Sequence, residues 1–365
     1  MADQEFIIAP PTVKVSFDIL PIKLAFNSLA LLNQVEELSG FTDWAERTYN
    51  ALTPERRHLN KMVFYVLTKG ISEYPDTLKT FSEYLEWFAK VDPVVFQQSI
   101  FLSLNEQCAE APVEFDQTIT PAQLMADKAL FMHVIESMYT AWGKWEPEER
   151  TIYADSWDLL QSPQLAHART VEHMTYMWDK HLRDDWNRNL PMLEDCVSAF
   201  RQLNFSGMTT LEAVKAVTGR DMGDYWKNLK PVEKVVFLPS PHVGPYNAVF
   251  TTDDTLYVVF GARMPEGVDA KSAALSRSEM LIRLSALADD TRLIILEILT
   301  QHDELCAQDI INMLNLSQSS ASRHLRQLTA TGFLTERRRD VAKCYSLNTE
   351  RIDSTLTALK HFMKR

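Results

Sequence analysis

The stretch LSQSSASRHL at residues 316–325 decides the fold of the C-terminal part of this chain. Ser317 is a good helix N-cap and Gly332 is a suitable left-handed stop, so the sequence predicts a helix from Gln318 to about Thr331. At about 100° per residue, the apolar residues of this helix share one side, namely Ala321, Leu325 and Leu328. The opposite side carries hydroxyl and guanidinium groups from Ser319, Ser322, Arg323 and Arg326. One face therefore packs and the other is polar.

A second helix is predicted just before it, over residues 307–314. Its apolar residues form one stripe, made of Ala307, Ile310, Ile311 and Leu314. Two helices joined by such a short turn are typical of a helix-turn-helix, whose second helix enters the major groove of DNA. Arginine can donate two hydrogen bonds to guanine there, and hydroxyls reach phosphates or base edges. We predict DNA contacts for Gln318, Ser319, Ser322, Arg323 and Arg326.

The periodicity changes to that of a hairpin after Gly332. FLTERRRD at 333–340 and AKCYSL at 342–347 are predicted strands, with the turn near Asp340. Three apolar or aromatic residues would anchor them to the core, namely Phe333, Tyr345 and Leu347. Four cations near the tip would contact phosphates, namely Arg337, Arg338, Arg339 and Lys343. The alternative is a solvated charged surface; the position directly after a recognition-type helix favours a β-wing.

These motifs together resemble the ArsR-type (ArsR/SmtB) winged-helix transcriptional regulators, over about residues 276–365. The resemblance includes LSALADDTRLIIL at 284–296, ELC at 304–306, LSQSSASRHL at 316–325 and KCYSL at 343–347, in that order. It implies a homodimeric repressor that reads a palindromic operator in double-stranded DNA, with the first and last helices of the domain at the dimer interface.

The predicted last helix, from about Thr349 to Met363, fits that expectation. It has an apolar stripe with helical spacing, formed by Ile352, Leu356, Leu359 and Met363. The stripe either covers its own small domain or meets a partner chain, and we favour the partner.

Many members of the family sense metals, and the metal ligands are incomplete here. The thiol site needs Cys-x-Cys, where this chain has Cys306-Ala307-Gln308. The site on the last helix retains only Asp353 and His361 of the four ligands that zinc prefers. We predict no metal and no cofactor, and we interpret Cys306 as a buried apolar residue.

Charge separates the two ends of the 365-residue chain. Residues 276–365 carry 13 basic and 11 acidic side chains, whereas residues 1–275 carry 24 basic and 38 acidic ones. The basic side chains thus concentrate where the motif predicts DNA. We predict a mainly α fold with small β: an acidic helical domain at 1–230 for effector binding or dimerisation, a strand segment and connector at 231–275, and the winged helix at 276–365.

Prolines at first helical positions predict where the helices of the N-terminal region begin. Residues that favour helix starts precede five prolines, namely Pro54, Pro93, Pro121, Pro147 and Pro163. Helical spacing follows over residues 59–69, 81–90, 122–142 and 165–189. Strands are predicted at 234–239, 246–251 and 255–260, with a turn at Asp253-Asp254 and a connector over 261–274.

Two groups in the helical region are candidates for a binding site. The first comprises His167, His173 and His181 with Glu172 and Asp179, whose spacing is poor for a metal, so core or solvated histidines are favoured. The second would line a pocket for an apolar effector or simply form a core: Trp142, Trp145, Tyr153, Trp157, Met174, Tyr176, Met177, Trp178 and Trp186. We favour the core, and leave a small-molecule effector open.

Other functional classes have little support. The chain lacks a Gly-rich phosphate loop, a Gly-x-Ser-x-Gly elbow and a His-Glu-x-x-His helix, so we predict no catalytic residues. A catalytic helical domain, or a winged helix that binds protein, are the alternatives. The four cysteines of the chain, Cys108, Cys196, Cys306 and Cys344, show no disulfide spacing. No signal or membrane segment is evident either, so we expect a cytoplasmic protein.

Overall fold

A computed structural model describes residues 12–71, 73–115, 118–143, 145–219, 232–252, 254–263, 265, 277–339 and 342–364. The fold is mainly helical with small sheets, as predicted. The chain forms two compact units: one comprises Leu20–Asn33 and Glu46–Asn187, and the other comprises Met1–Ile19, Gln34–Ala45 and Arg188–Arg365. None of the described helices is both long and apolar enough to cross a membrane.

The α-helices in chain order are α1 (Pro21–Leu31), α2 (Asp43–Ala51), α3 (Pro54–Tyr65), α4 (Phe81–Phe88), α5 (Pro93–Glu110), α6 (Pro121–Ala126), α7 (Lys128–Ala141), α8 (Arg150–Leu160), α9 (Pro163–Met177), α10 (Arg183–Phe200), α11 (Thr210–Thr218), α12 (Arg277–Leu287), α13 (Asp290–Thr300), α14 (Ala307–Leu314), α15 (Gln318–Ala330) and α16 (Thr349–Met363). The strands are β1 (Lys14–Phe17), β2 (Lys234–Ser240), β3 (Asn247–Thr252), β4 (Thr255–Gly261), β5 (Leu305–Cys306), β6 (Leu334–Arg339) and β7 (Ala342–Leu347).

Proline marks helix starts as the sequence predicts. It is the first residue of α3, α5, α6 and α9, and Pro147 begins a short 3-10 helix. The residue before the proline often caps the helix: the Asp92 carboxylate accepts hydrogen bonds from the Val94 and Val95 amides at 2.8 and 3.1 Å. Such caps satisfy amides that have no partner within the helix.

The helical unit of Leu20–Asn33 and Glu46–Asn187 buries two of the three candidate histidines. His167 Nε2 lies 2.9 Å from the Phe88 carbonyl oxygen, and His173 Nε2 lies 3.0 Å from Asn60 Oδ1. Asn60 in turn donates to Asn33 Oδ1 at 2.7 Å. Desolvation is the main reason why the pKa of His173 falls to about 4. The core interpretation is confirmed for His167 and His173.

The aromatic group of the same unit mostly forms a core. Tyr153, Met174, Met177, Trp178 and Trp186 are buried. Tyr153 contacts the rings of Tyr65, Tyr139 and Trp145. A five-residue π-helix, Trp178–Leu182, follows α9 and shifts the phase of the side chains that come after it.

A four-stranded sheet in the other unit has the order β1-β2-β4-β3. β1, β2 and β4 run parallel, and β3 is antiparallel to β4. The three strands predicted from the sequence are confirmed, whereas β1 was not predicted. The end of α10 and all of α11 cover this sheet, since Phe200 and Val217 pack with Phe237, Val258 and Phe260.

The C-terminal part of the same unit has helices α12 to α16 and the three-stranded sheet β5-β7-β6. Its core contains Ile295, Ile310, Leu325, Leu328 and Phe333. The predicted α14, hairpin strands and α16 agree with the structure within one residue.

Several predicted features lie on residues outside the described ranges. These include Asp253 and Asp340 at turns, and most of the connector over 261–274. The predicted domain boundaries, after residues 230 and 275, fall there too, so the three-domain division stays a prediction.

Candidate nucleic-acid interface

The helix α15 separates an apolar face from a polar one. Ser317 Oγ accepts a hydrogen bond from the Ser320 amide at 3.2 Å, which caps the helix start. Ala321, Leu325 and Leu328 are fully buried, at 0, 1 and 0% exposure. The five predicted contact residues lie together on the outer side, with Gln318, Ser319, Arg323 and Arg326 exposed and Ser322 half-buried.

A tight turn connects α14 to this helix. Asn315 ends α14 in the left-handed region with φ of 51°, and among the described residues no other non-glycine residue has a positive φ. Asparagine tolerates this conformation better than most residues because its short side chain is polar. The Leu316 amide donates to the Ile311 carbonyl at 3.2 Å. The turn thus fixes the direction of α15 relative to α14.

A polar cluster lies behind α15. The buried His324 ring has Nδ1 at 3.5 Å from the Asp289 carboxylate. Asp289 also caps α13 by accepting from the Arg292 amide at 3.0 Å. Arg292 Nε donates to the Ala286 carbonyl at 2.6 Å, which joins the start of α13 to the end of α12. His324 Nδ1 has no hydrogen-bond partner among the described residues. Burial lowers the pKa of His324, and nearby Asp289 partly opposes this.

The wing places its four predicted cations in solvent, but they differ in their partners. Arg337 forms an ion pair with Glu304, with Nη2 at 3.0 Å from Oε1. Lys343 Nζ lies 2.9 Å from Glu336 Oε1. The hydrogen bond from Arg337 lowers the pKa of Glu304. Arg338 and Arg339 are exposed and form no ion pair with another described residue.

Residues 289–336 match the family model described as "Bacterial regulatory protein, arsR family". Over these residues the chain is similar to regulators of the ArsR type. Its relatives include a cadmium resistance transcriptional regulatory protein CadC homolog of Staphylococcus aureus, 39% identical over 67 residues, which are 18% of this chain and 55% of that protein. The arsenic resistance transcriptional regulator ArsR1 of Pseudomonas putida is 39% identical over 69 residues, 19% of this chain and 54% of that protein. The chain thus spans about half the length of these curated relatives.

The C-terminal part of the chain contains a disulfide that was not predicted. Cys306, the last residue of β5, is bonded to Cys344 of β7, which lies directly opposite in the antiparallel register. The interpretation of Cys306 as a buried apolar residue is wrong, since it is half-buried and cross-linked. Cys108 and Cys196 are buried free thiols, whereas the expectation that none of the four cysteines forms a disulfide is wrong for Cys306 and Cys344. Only the strand register reveals the pair, because 38 residues separate the two cysteines.

The three residues at positions that resemble the family's metal ligands hold another partner or face solvent. Cys306 belongs to the disulfide, and Asp353 and His361 are exposed on α16. Within the residues that the structure describes, no three His, Cys, Asp or Glu side chains are grouped to hold a metal ion.

Sequence reasoning also missed a contact on the buried side of α15. Gln327 is 2% exposed, and its Oε1 accepts a hydrogen bond from Ser39 Oγ at 2.5 Å. The Tyr246 hydroxyl donates to the Ser39 carbonyl, also at 2.5 Å. Residues 38–40 therefore lie between the loop after β2 and the recognition-type helix. Helical spacing gave no signal for Gln327, because at about 100° per residue it lies far around the helix from Ala321, Leu325 and Leu328.

Proposed function

We propose that this protein is a sequence-specific DNA-binding transcriptional regulator. The observation that carries the proposal is α15, a helix of an ArsR-type domain with one face in the core and hydroxyl and guanidinium groups on the other. Arg323 and Arg326 would donate to base edges in the major groove, with Gln318, Ser319 and Ser322 beside them.

The wing would contact phosphates beside the groove. Arg338 and Arg339 form no ion pair among the described residues and would bind the DNA backbone directly. Arg337 must first break its ion pair with Glu304, and Lys343 its ion pair with Glu336, before either can bind a phosphate. We expect their net contributions to be smaller, because each exchange gives up an existing ion pair.

A homodimer would bind a palindromic operator. Large apolar side chains on α12 and α16 are exposed, with Leu281 at 59%, Leu356 at 46% and Met363 at 76%. The buried positions of α16 are instead the small residues Thr355 and Ala358. Isologous contact through α12 and α16 would cover this apolar surface and present two copies of α15. Repression by operator occupancy follows from the family resemblance.

The remainder of the chain would modulate DNA binding through the back of α15. Ser39 and Tyr246 are linked to Gln327 by hydrogen bonds, so a shift of residues 38–40 changes the support of the recognition helix. A cavity at the same junction is lined by Arg263, Arg283 and Arg351, among others. A small-molecule effector bound there would contact the segment after β4 together with α12 and α16.

We assign no catalytic role to the chain. The relatives are named as transcriptional regulators, and in the described residues no observation favours a reaction. We also propose a cytoplasmic location, because the two relatives are bacterial regulators and bacterial DNA lies in the cytoplasm.

Selection of genomic fragments by the purified full-length protein, at near-physiological salt and with sequencing of the bound pool, tests the proposal. We expect enrichment of a palindromic site by the wild type and its loss in the double variant Arg323→Ala/Arg326→Ala. The matched control is Arg169→Ala, which removes an exposed arginine from α9 and should leave enrichment unchanged. No enrichment by the wild type, with or without reductant, would favour a winged helix that binds protein.

A further inference from the structure

The disulfide joins the helix-turn-helix to the wing at one point. Cys306 immediately precedes α14, and Cys344 lies in β7, the central strand of the wing sheet. Cys344 is also opposite Arg337 of β6, so the three residues form one row across the sheet. The ladder between β5 and β7 has only two residue pairs, Leu305 with Tyr345 and Cys306 with Cys344.

We propose that Cys306–Cys344 is a reversible redox site that controls how firmly the wing is held against the helix-turn-helix. The site lies beside the predicted phosphate contacts, since Arg338 is paired with Lys343, the neighbour of Cys344. Its effect on DNA rests on the function proposed above, whereas its effect on the wing does not.

The two sulfurs differ in access, which sets the order of the chemistry. Cys306 is half-buried and Cys344 is fully buried, so the thiolate of a dithiol reductant attacks Cys306 Sγ. The S–S bond breaks, and Cys344 leaves as a thiolate that takes up a proton. The second thiol of the reductant then displaces Cys306 from the mixed disulfide. Two electrons and two protons have passed to the protein, and the reductant has become a disulfide. A small-molecule disulfide reverses the sequence by the same exchanges.

Reduction leaves three connections between β5 and the wing. These are the two-pair ladder, the packing of Leu305 and Tyr345 in the core, and the ion pair of Glu304 with Arg337, whose side chains are 16% and 66% exposed. All three are non-covalent, in contrast to the disulfide. Exposed ion pairs hold strands poorly because water and salt screen them. The amides of β6 and β7 should therefore exchange faster in the dithiol form. DNA affinity should fall by about ten-fold, because ordering the wing then opposes binding.

A redox titration of the full-length protein tests the site itself. The protein is equilibrated with dithiothreitol or with glutathione buffers of graded ratio, acid-quenched and alkylated, and its peptides are analysed by mass spectrometry. We expect Cys306 and Cys344 to become alkylated together under reducing conditions and to be protected together after oxidation by glutathione disulfide. If both cysteines stay open to alkylation after oxidation, the site is disproved.

Hydrogen exchange and DNA binding test the consequence. Peptides covering residues 334–347 should exchange faster when reduced, and Cys306→Ser should behave as the reduced form in both buffers. The matched control is Cys108→Ala, which removes a buried free thiol from α5 and should respond to redox like the wild type. If Cys306→Ser does not fold, the wild type and Cys108→Ala still allow hydrogen exchange of the wing to be compared between oxidising and reducing buffers.

Equal wing exchange in the two redox states would overturn the proposal. Faster exchange with unchanged affinity for the selected palindromic duplex would overturn its link to DNA. Absence of DNA binding in both states would instead contradict the function proposed above, and the exchange data would still decide the redox site.

Discussion

The winged helix and the helical unit of Leu20–Asn33 and Glu46–Asn187 use polar side chains in opposite ways. On α15, Ser319, Arg323 and Arg326 face solvent and leave the core to apolar residues. In the helical unit, His173 and Asn60 are 0 and 1% exposed and bond to each other. Exposed polar residues are available to a partner, whereas buried ones specify packing. The difference separates a surface for recognition from a polar core.

Truncation of the two cores should give the largest effects and separate the regions. Leu328→Ala and Ile135→Ala each remove a fully buried side chain, at 0 and 1% exposure. We expect each to lower the free energy of unfolding by about 2–5 kcal/mol. Only Leu328→Ala should also weaken DNA binding, since Leu328 supports the face of α15. Urea unfolding combined with DNA titration measures both effects. An equal loss of DNA affinity in Ile135→Ala would mean that the two cores do not differ in their effect on DNA binding.

Acidification should weaken the helical unit through His173. Its pKa in the folded protein is about 4, against an ordinary value of 6.5. Between these values the unfolded chain binds a proton that the folded chain does not, so stability falls as the pH drops from 6.5 towards 4. The loss between pH 7 and 5 should be about 2 kcal/mol.

Urea unfolding followed by tryptophan fluorescence measures this loss. None of the eight tryptophans lies beyond Trp226, so the signal does not come from the winged helix. His173→Gln should flatten the pH dependence, and the control His302→Gln, at an exposed position before β5, should not. An unchanged pH dependence in His173→Gln would assign the effect to another group.

Removal of one recognition arginine should reduce discrimination between DNA sequences. Arg323→Ala should cost about 1–3 kcal/mol on the selected site and much less on random duplex. The two dissociation constants, measured at one salt concentration, give the effect. Equal losses on both duplexes would mean that Arg323 contacts only phosphate.

The wing should give the smallest and least specific effect. Arg338→Ala should weaken all duplexes alike and lower the slope of log affinity against log salt by about 0.9. Arg337→Ala should change the slope less, because Arg337 is paired with Glu304 before DNA arrives. Salt titrations of the two variants test this order, and a larger change for Arg337→Ala would reverse the assignment.

Local rules predicted much of the winged helix. Ser317 and Gly332 bound α15 within one residue, and the apolar spacing identified its buried face. These signals act over a few residues and do not depend on distant parts of the chain. Proline gave the helix starts of the N-terminal region for the same reason.

Features that depend on distant residues could not be predicted. Cys306 meets Cys344 only through the register of β5 with β7, and β1 joins a sheet whose next strand begins 220 residues later. Gln327 is buried because residues 38–40 cover it. His173 is buried in a core where Asn60 Oδ1 is its hydrogen-bond partner. Each needs the tertiary fold, which a local pattern does not encode.

The most direct test of sequence-specific reading is the ratio of two dissociation constants at near-physiological salt, for the selected duplex and for the same duplex with both half-sites scrambled. We expect the full-length protein to prefer the selected duplex by about a thousand-fold or more. We also expect the ratio to fall sharply in Arg323→Ala/Arg326→Ala and to persist in Arg169→Ala. A wild-type ratio near one would contradict DNA reading by α15.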